Sequence, residues 1–333
     1  PTLNLGANAA QDVYGGGSAD AYIVRLSEAG NQVTAGTFWG STAYDQAYFI
    51  EIDNDDFVYI FGQTEAGNSL IQNATYSNAN SGNLIAKFNA GLSSVVWSTV
   101  VGTGNGKPNL SPSAFLVDYC NRIYISGWGV NDVVGNPLNP GDHLHAMFSM
   151  PTTADAYDAT CSTGDFYMAV YDENMTFMEY ATFFGGSTSQ EHVDGGTSRF
   201  DKKGVIYQSV CAGCGGNDDF PIFPSNAYSA VNGNSCNNGV FKFDFQLPIS
   251  VADFYSNPTH CIGNITSFDN NSIGAETYHW DFGDGTTSQA VEPTHTYAAP
   301  GEYIVTLTIE SSLTCNGIDS IQHTVIITEP DTV

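Results

Sequence analysis

Four short stretches carry residue types that could do chemistry. Gln190-Glu191-His192-Val193-Asp194 sets carboxylates beside an imidazole, a group able to bind a metal or to move a proton between acid and base. Asp142-His143-Leu144-His145 places two imidazoles on one side of an extended segment, as a metal site needs, but no third ligand is near. Cys211-Ala212-Gly213-Cys214 has the spacing of a redox or zinc pair. Zinc would want a second pair, only Cys236 is close in sequence, and the helical context of thioredoxin-like motifs is missing. Asp53-Asn54-Asp55-Asp56 is an acidic turn whose carboxylate and carbonyl oxygens suit structural Ca²⁺.

Each stretch has a plainer reading. The His192 segment follows Thr182-Phe183-Phe184-Gly185, where an earlier copy has Tyr44-Asp45-Gln46, so it reads as a repeated turn. The Asp53 turn has less acidic counterparts at Asp118-Tyr119-Cys120-Asn121 and Asp201-Lys202-Lys203-Gly204, which favours an ordinary hairpin connection. No GxSxG, HExxH, P-loop or dinucleotide fingerprint is present. The expectation is a chain with no catalytic residues that is not an enzyme. Among the tryptophans, Trp128 sits between glycines at the start of an insertion and is the expected exposed ring for stacking on a sugar.

The elements that hold these residues are repeated. Thr37-Phe38-Trp39-Gly40 recurs as Thr99-Val100-Val101-Gly102 and Thr182-Phe183-Phe184-Gly185. After each comes an aspartate with a tyrosine six positions on: Asp53 and Tyr59, Asp118 and Tyr124, Asp201 and Tyr207. Apolar, β-prone text surrounds those tyrosines, and further strands read at 21–26, 84–88, 166–171 and 240–245. Each unit holds about four short strands, one blade of a β-propeller. A blade cannot bury both faces alone, so neighbours must stack. The units exceed the ~40–45 residues of an ordinary blade, so loops are inserted, the longest over 128–164. Three full units and a partial fourth predict an incomplete ring, with more blades before Pro1; a compact four-bladed ring is the alternative.

Composition sets the class. Eight basic residues face 35 acidic ones, a formal net charge of -27, which argues against nucleic acid and anionic membrane surfaces as partners and favours cations. Gly, Asn, Thr, Tyr and Phe are abundant, a mix for twisted strands and tight turns. No apolar run approaches the ~18 residues of a membrane helix, so no direct membrane insertion is expected. Seven cysteines in turn-rich contexts fit disulfides in an oxidising exterior.

The repeat text, DAYIVRLSEAGNQ followed by FWGST and EIDNDDFVYIFG, resembles the seven-bladed-propeller-type (SBBP-like) repeats of bacterial secreted proteins. DGGTSRFDKKGVIYQSVCAGCGGNDDFP and NNGVFKFDF are closer to a version found in large Bacteroidota surface proteins. That resemblance implies type IX secretion and a parent associated with adhesion, gliding motility or surface filaments.

At Pro248 the pattern changes. Tyr278-His279-Trp280-Asp281-Phe282-Gly283-Asp284-Gly285, then His295-Thr296-Tyr297, Pro300-Gly301 and YIVTLTI at 303–309 resemble a PKD domain, an immunoglobulin-like β-sandwich. Strand alternation puts Trp280 and Phe282 in the core and Asp281 outside. Gly283 and Gly285 allow the turn's positive φ, and Tyr297 anchors a strand corner by its hydroxyl. Asp281 and Asp284 are either Ca²⁺ ligands or turn hydrogen-bond acceptors, the latter preferred.

The expected organisation is all-β: a propeller-like repeat domain over 1–247 and a PKD domain over 248–333. The expected disulfides are Cys261–Cys315, Cys236 with Cys211 or Cys214 (Cys214 preferred), and Cys120–Cys161. The expected function is a non-catalytic extracellular module of a large cell-surface protein, with other surface proteins, copies of itself or surface polysaccharides as partners. A carbohydrate-binding module, or an accessory part of a secreted polysaccharide- or protein-degrading enzyme, is the alternative.

Overall fold

The computed structural model describes residues 5, 8–129, 146–162, 164–193, 198–201, 203–214, 217, 219–229, 231 and 236–329. Asp142, His143, His145 and Asp194 lie outside these residues. The chain divides into two compact units, Pro1–Phe245 and Gln246–Val333. The described residues hold strands and one short 3-10 turn at Gly67–Leu70, and no α-helix. This is the all-β class that the glycine- and β-branch-rich text demands.

The first unit is a series of antiparallel sheets. β1 (Ala21–Leu26) and β2 (Val33–Trp39) form a two-stranded sheet. β3 (Asp45–Ile52), β4 (Val58–Thr64), β5 (Asn83–Phe88) and β6 (Val95–Val101) follow as a four-stranded meander. β7 (Ser111–Val117), β8 (Ile123–Trp128), β9 (Phe166–Tyr171) and β10 (Met178–Phe184) repeat it. In the last sheet β11 (Gln190–His192) and β12 (Ser198–Phe200) both pair with β13 (Val205–Cys214), and β14 (Asn237–Asp244) pairs with the other edge of β13.

Strands buried on both faces read as apolar runs rather than as alternation. β4, β8 and β9 are buried at every residue. One core joins the two-stranded sheet to the first meander through Ile23, Trp39, Ile60, Leu84 and Phe88. A second joins the two meanders through Tyr59, Phe61, Trp97, Phe115, Ile125 and Phe183. A third joins the second meander to the last sheet through Phe166, Met168, Phe184, Ile206 and Phe241. A few polar links cross these apolar seams: Gln63 Nε2 donates to the Leu110 carbonyl at 2.7 Å, and Gln208 Nε2 to Ser113 Oγ at 3.0 Å.

The second unit contains β15 (Phe254–Tyr255), β16 (Thr259–Cys261), β17 (Thr266–Ser267), β18 (Asp269–Asn270), β19 (Thr277–Asp281), β20 (Thr287–Ser288), β21 (Thr294–His295), β22 (Gly301–Glu310) and β23 (Ile318–Thr328). Its main sheet runs β16-β23-β22-β19-β20, and β15–β18 and β17–β21 are short pairs. Trp280, Phe254, Phe268, Phe282, Tyr297, Val305, Leu307 and Val325 form its core. Trp280 is fully buried and its indole N–H donates to the Ala290 carbonyl at 2.9 Å, so the one polar atom of that ring is satisfied.

Candidate functional site

The aspartate–tyrosine spacing is a hairpin lock. Asp53 Oδ1 accepts the N–H groups of Asp55 and Phe57 at 3.0 and 2.9 Å, and Oδ2 accepts the Tyr59 hydroxyl at 2.9 Å. Asp118 does the same for Cys120, Arg122 and Tyr124 at 2.8, 2.9 and 2.9 Å. Asp201 does it for Lys203, Val205 and Tyr207 at 2.9, 3.0 and 3.3 Å. One carboxylate thus satisfies two turn amides and one phenol. Lys87 adds an ion pair to Asp53 at 3.3 Å, and Arg122 pairs with Asp118 and Glu179.

The repeated threonine has an equally plain task. In each of the first three sheets, the stretch leading up to the penultimate strand straps the outer strand. Thr37 Oγ1 accepts the Gln11 N–H at 2.9 Å, Thr99 Oγ1 donates to the Tyr76 carbonyl at 2.6 Å, and Thr182 Oγ1 accepts the Asp158 N–H at 2.9 Å. The backbones also pair, Phe38 N–H to Gln11 O at 3.1 Å and Phe183 N–H to Asp158 O at 2.9 Å.

Glu191 is a third repeated device. It is fully buried, its Oε2 accepts the Gly186 N–H at 3.3 Å, and Ser189 Oγ donates to Oε1. The equivalent Asp45, also fully buried, accepts the Ser41 N–H and hydroxyl at 2.6 and 2.8 Å and the Thr64 hydroxyl at 2.5 Å. In the sheet between, Asn109 Oδ1 accepts the Thr103 N–H at 2.9 Å. All three latch the turn that leads from one sheet to the next.

A second carboxyl stands beside the Glu191 latch, as Asp20 stands beside the Asp45 latch. Asp165 precedes β9 as Asp20 precedes β1, and a Cβ at Gly185 would collide with both Asp165 Oδ1 and Glu191 Oε2, so the two carboxyls converge there. Burial raises Asp165 to about 6 against hydrogen bonds from the Cys161 thiol and the Ser162 N–H, with Asp158 and Asp219 adding repulsion. Burial raises Glu191 to about 7 against the Ser189 and Gly186 hydrogen bonds, with Asp165 and Asp219 adding to it. Asp219 itself, although burial opposes ionisation, is held well below the usual range by Ser189, Ser187 and Thr188. Sequence reasoning named Glu191 and His192 but missed Asp165; the signal was the matching aspartate before the first strand. His192 is buried and its ring lies 5.7 Å from that of Trp128.

Several expected sites fall elsewhere. Trp128 is 8% exposed and packed in the third core, not on the surface. It ends β8, opposite Ser111 and Phe166, so the strand register draws it inward. None of the three expected disulfides forms, because Cys161, Cys236 and Cys261 keep their thiols. Cys261 stands opposite Thr328 at one end of the 11-residue β23, whereas Cys315 precedes the other end. That is about 30 Å, far beyond the ~4–7 Å Cα separation of a disulfide. Cys120 lies in the turn before Ile123 and Cys161 near the opposite end of the same sheet, before Phe166. The β13–β14 register, continued one residue past Ala212↔Asn237, sets exposed Cys236 against Gly213 and not Cys214. Cys120, Cys211 and Cys315 are disulfide-bonded.

Of the carboxylates expected to ligate Ca²⁺, Asp53, Asp281 and Asp284 accept hydrogen bonds from protein groups. Both Asp53 oxygens accept protein N–H or O–H groups, while Asp55 and Asp56 are exposed. Asp281 Oδ1 accepts the Gly283 N–H at 2.9 Å, Asp284 Oδ1 accepts Thr286, and Asp284 Oδ2 meets His295 Nε2 at 2.7 Å. Oxygens facing N–H groups make a poor cation shell. Among the described residues no group of three or more His, Cys, Asp or Glu is gathered for a metal.

In the second unit the Tyr297 hydroxyl donates to the Phe282 carbonyl at 3.1 Å, fixing the corner, and His295 stacks on Phe282 at 4.4 Å. Gly283 and Gly285 take φ of 79° and 89°, and a Cβ at Gly283 would meet the Ile304 carbonyl.

Residues 251–325 match the family model described as the PKD domain. A microbial collagenase of Vibrio alginolyticus is 48% identical over 50 residues, 14% of this chain and 6% of its own length. Collagenase ColA of Bacillus cereus is 43% identical over 54 residues, 16% of this chain and 5% of its own. Among solved structures, the PKD1 domain of Vibrio anguillarum Epp is 27% identical over 26% of this chain and 100% of that one, with a TM-score of 0.22. The PKD1 domain of the Vibrio cholerae metalloprotease PrtV is 31% identical over 24% and 96%, with a TM-score of 0.21. PKD domains occur in extracellular proteins, bacterial proteases among them, and are non-catalytic modules. Among the described residues no helix is long and apolar enough to cross a membrane. With Trp280 and Phe282 in its core and Tyr297 closing its corner, the segment 251–325 is a PKD domain, an immunoglobulin-like β-sandwich.

Proposed function

We propose that this chain is a non-catalytic extracellular structural and interaction module of a large bacterial cell-surface protein, with propeller-like blades as the platform and the PKD domain as a spacer. The observation that carries the reading is the use made of the acids. Asp53, Asp118 and Asp201 lock hairpins, and Asp45 and Glu191 latch turns, at matching positions of successive sheets. A catalytic acid is expected at one place in a fold, whereas an acid doing one backbone task in every repeat belongs to the scaffold. The finer reading, a Bacteroidota protein exported by the type IX system and concerned with adhesion, filaments or gliding, rests on the repeat text at 1–247. The test is turnover by the purified chain on gelatin, collagen and a panel of polysaccharides, beside binding of the chain to whole cells. Binding without turnover is expected; turnover that Glu191→Gln abolishes in a folded protein would overturn the reading.

A second reading has one observation in its favour: the PKD-segment relatives include collagenases and a metalloprotease. In it the chain is an accessory part of a secreted polysaccharide- or protein-degrading enzyme. Retention of the isolated PKD segment on insoluble collagen or polysaccharide would favour it.

A further inference from the structure

An amine and a carboxyl group of the first meander meet where water is nearly excluded. Lys87 on β5 stands directly opposite Tyr59 on β4, which carries its side chain over the first hairpin lock. Its Nζ lies 3.3 Å from Asp53 Oδ2, and the two side chains are 11% and 1% exposed. The Phe57 and Tyr59 rings flank the nitrogen at 4.4 and 4.8 Å. The carboxyl group is gripped from the other side. Oδ1 accepts the Asp55 and Phe57 N–H groups, and Oδ2 accepts the Tyr59 hydroxyl. Burial, followed by the bond to Asp53, holds that phenol well above its ordinary value, so it stays a proton donor. A nucleophile, two N–H donors on one oxygen and an O–H donor on the other are the parts of an acyl-transfer site.

The matching positions of the later sheets each lack a part. In the second meander Val170 stands opposite Tyr124, and the cation beside Asp118 is Arg122 at 3.7 Å, whose guanidinium cannot give up its proton to become a nucleophile. In the last sheet Lys242 stands opposite Tyr207, but that phenol is 43% exposed and the ammonium lies 5.8 Å from its ring centre.

We propose that Lys87 and Asp53 form a modification site, at which the two side chains condense into an intramolecular amide cross-link. The ammonium first passes a proton to Oδ2, leaving a neutral amine and a carboxylic acid. The nitrogen lone pair then attacks Cγ, and the carbonyl electron pair moves onto Oδ1, where the two backbone N–H groups receive it. Collapse breaks the bond from Cγ to Oδ2, and that oxygen leaves as water with a proton that the nitrogen gives up through the Tyr59 hydroxyl. One C–N bond forms, one C–O bond breaks, one water leaves, and nothing is oxidised or reduced. The product keeps both hydrogen bonds to Oδ1, so the turn stays locked, and a neutral amide replaces a buried ion pair. The bond ties the turn between β3 and β4 to β5.

The test is the intact mass of the full chain, folded and then reduced and denatured, with its proteolytic fragments sequenced by tandem mass spectrometry. A chain one water lighter than its sequence requires is expected, with a branched fragment joining the segments that hold Asp53 and Lys87. Lys87→Arg, which copies the Arg122 contact of the second lock, should fold and carry the full sequence mass. Tyr59→Phe, which keeps the ring and removes the proton donor, should form the bond about tenfold more slowly or worse. A folded chain that keeps its full mass after days at neutral pH would overturn the proposal. So would a loss of water that persists in Lys87→Arg, or a branched fragment joining another pair of residues. An unchanged rate in Tyr59→Phe would overturn the part given to the hydroxyl. The cross-link does not depend on the chain being an interaction module, and its failure leaves the turnover and cell-binding tests untouched.

Discussion

The hairpin lock occurs three times with one geometry and two environments. Tyr59 and Tyr124 are buried, 0% and 1% exposed, under the next sheet in the series; Tyr124 packs on Phe200 and Phe245. Tyr207, in the last sheet, is 43% exposed, with the Lys242 ammonium 5.8 Å from its ring centre. The hydrogen bonds match, so the repeat text is the same, yet the energetic weight differs. A phenol–carboxylate pair in a dry seam leaves a costly buried charge when one partner goes, whereas at an open face water replaces it. The motif records how a hairpin is made, and its neighbours decide how much depends on it.

The largest effect should separate those two environments. Tyr124→Ala is expected to cost about 3–5 kcal/mol in denaturant unfolding, by cavity and by stranding Asp118, and Tyr207→Ala less than about 1 kcal/mol. Equal losses would show that the locks matter through local turn geometry alone.

Next comes the carboxyl pair. Asp165 and Glu191 have folded values of about 6 and about 7, above the ordinary carboxylate range, so the folded state holds protons that the unfolded chain has released. Stability from this pair is full below the unfolded values near pH 4, falls as pH rises, and is lost by about pH 7. Asp165→Asn should raise stability at pH 8 by on the order of 2 kcal/mol and change it little at pH 4. Asp20→Asn, in the more open first sheet, should do the same more weakly, since burial raises that carboxyl too. A flat pH profile for the parent chain would contradict the pairing.

A smaller effect belongs to the second unit. Burial works against ionisation of Asp284, but the Thr286 and His295 hydrogen bonds hold it below its ordinary value. Its contribution is present above the unfolded value near pH 4 and is lost as pH falls through the folded one. His295→Gln should cost about 0.5 kcal/mol at pH 5 to 6, with a shallower acid limb. Smallest of all, chelator should leave Tm unchanged, because the Asp53 and Asp284 oxygens already face protein donors; a fall of several degrees on chelation would reopen a cation role for the acidic turns.

Much of the fold could be read from short-range pattern. Alternation put Trp280 and Phe282 inside, and the six-residue Asp–Tyr spacing marked real hairpins, because both are decided within one or two strands. Trp128 was misread because its burial depends on Phe166 and the last sheet, far along the chain. The cysteine pairings failed for a related reason: spacing gives no warning that Cys261 and Cys315 sit at opposite ends of β23. Glu191 was visible, but its partner Asp165 became meaningful only when the Gly185 turn brought two sheets together.

One small contact bears on whether the sheets are interchangeable. The left-handed residue of the lock turn is Asp56 in the first meander, Asn121 in the second and Gly204 in the last sheet. At Gly204 a Cβ would stand 2.9 Å from the Tyr124 hydroxyl oxygen and 3.0 Å from its ring. A side chain tolerated in the first two turns is thus forbidden in the third by the neighbour it nests against. The sheets are similar in design but not interchangeable: a copy of the 118–124 hairpin in the place of 201–207 would set the Asn121 side chain against the Tyr124 ring.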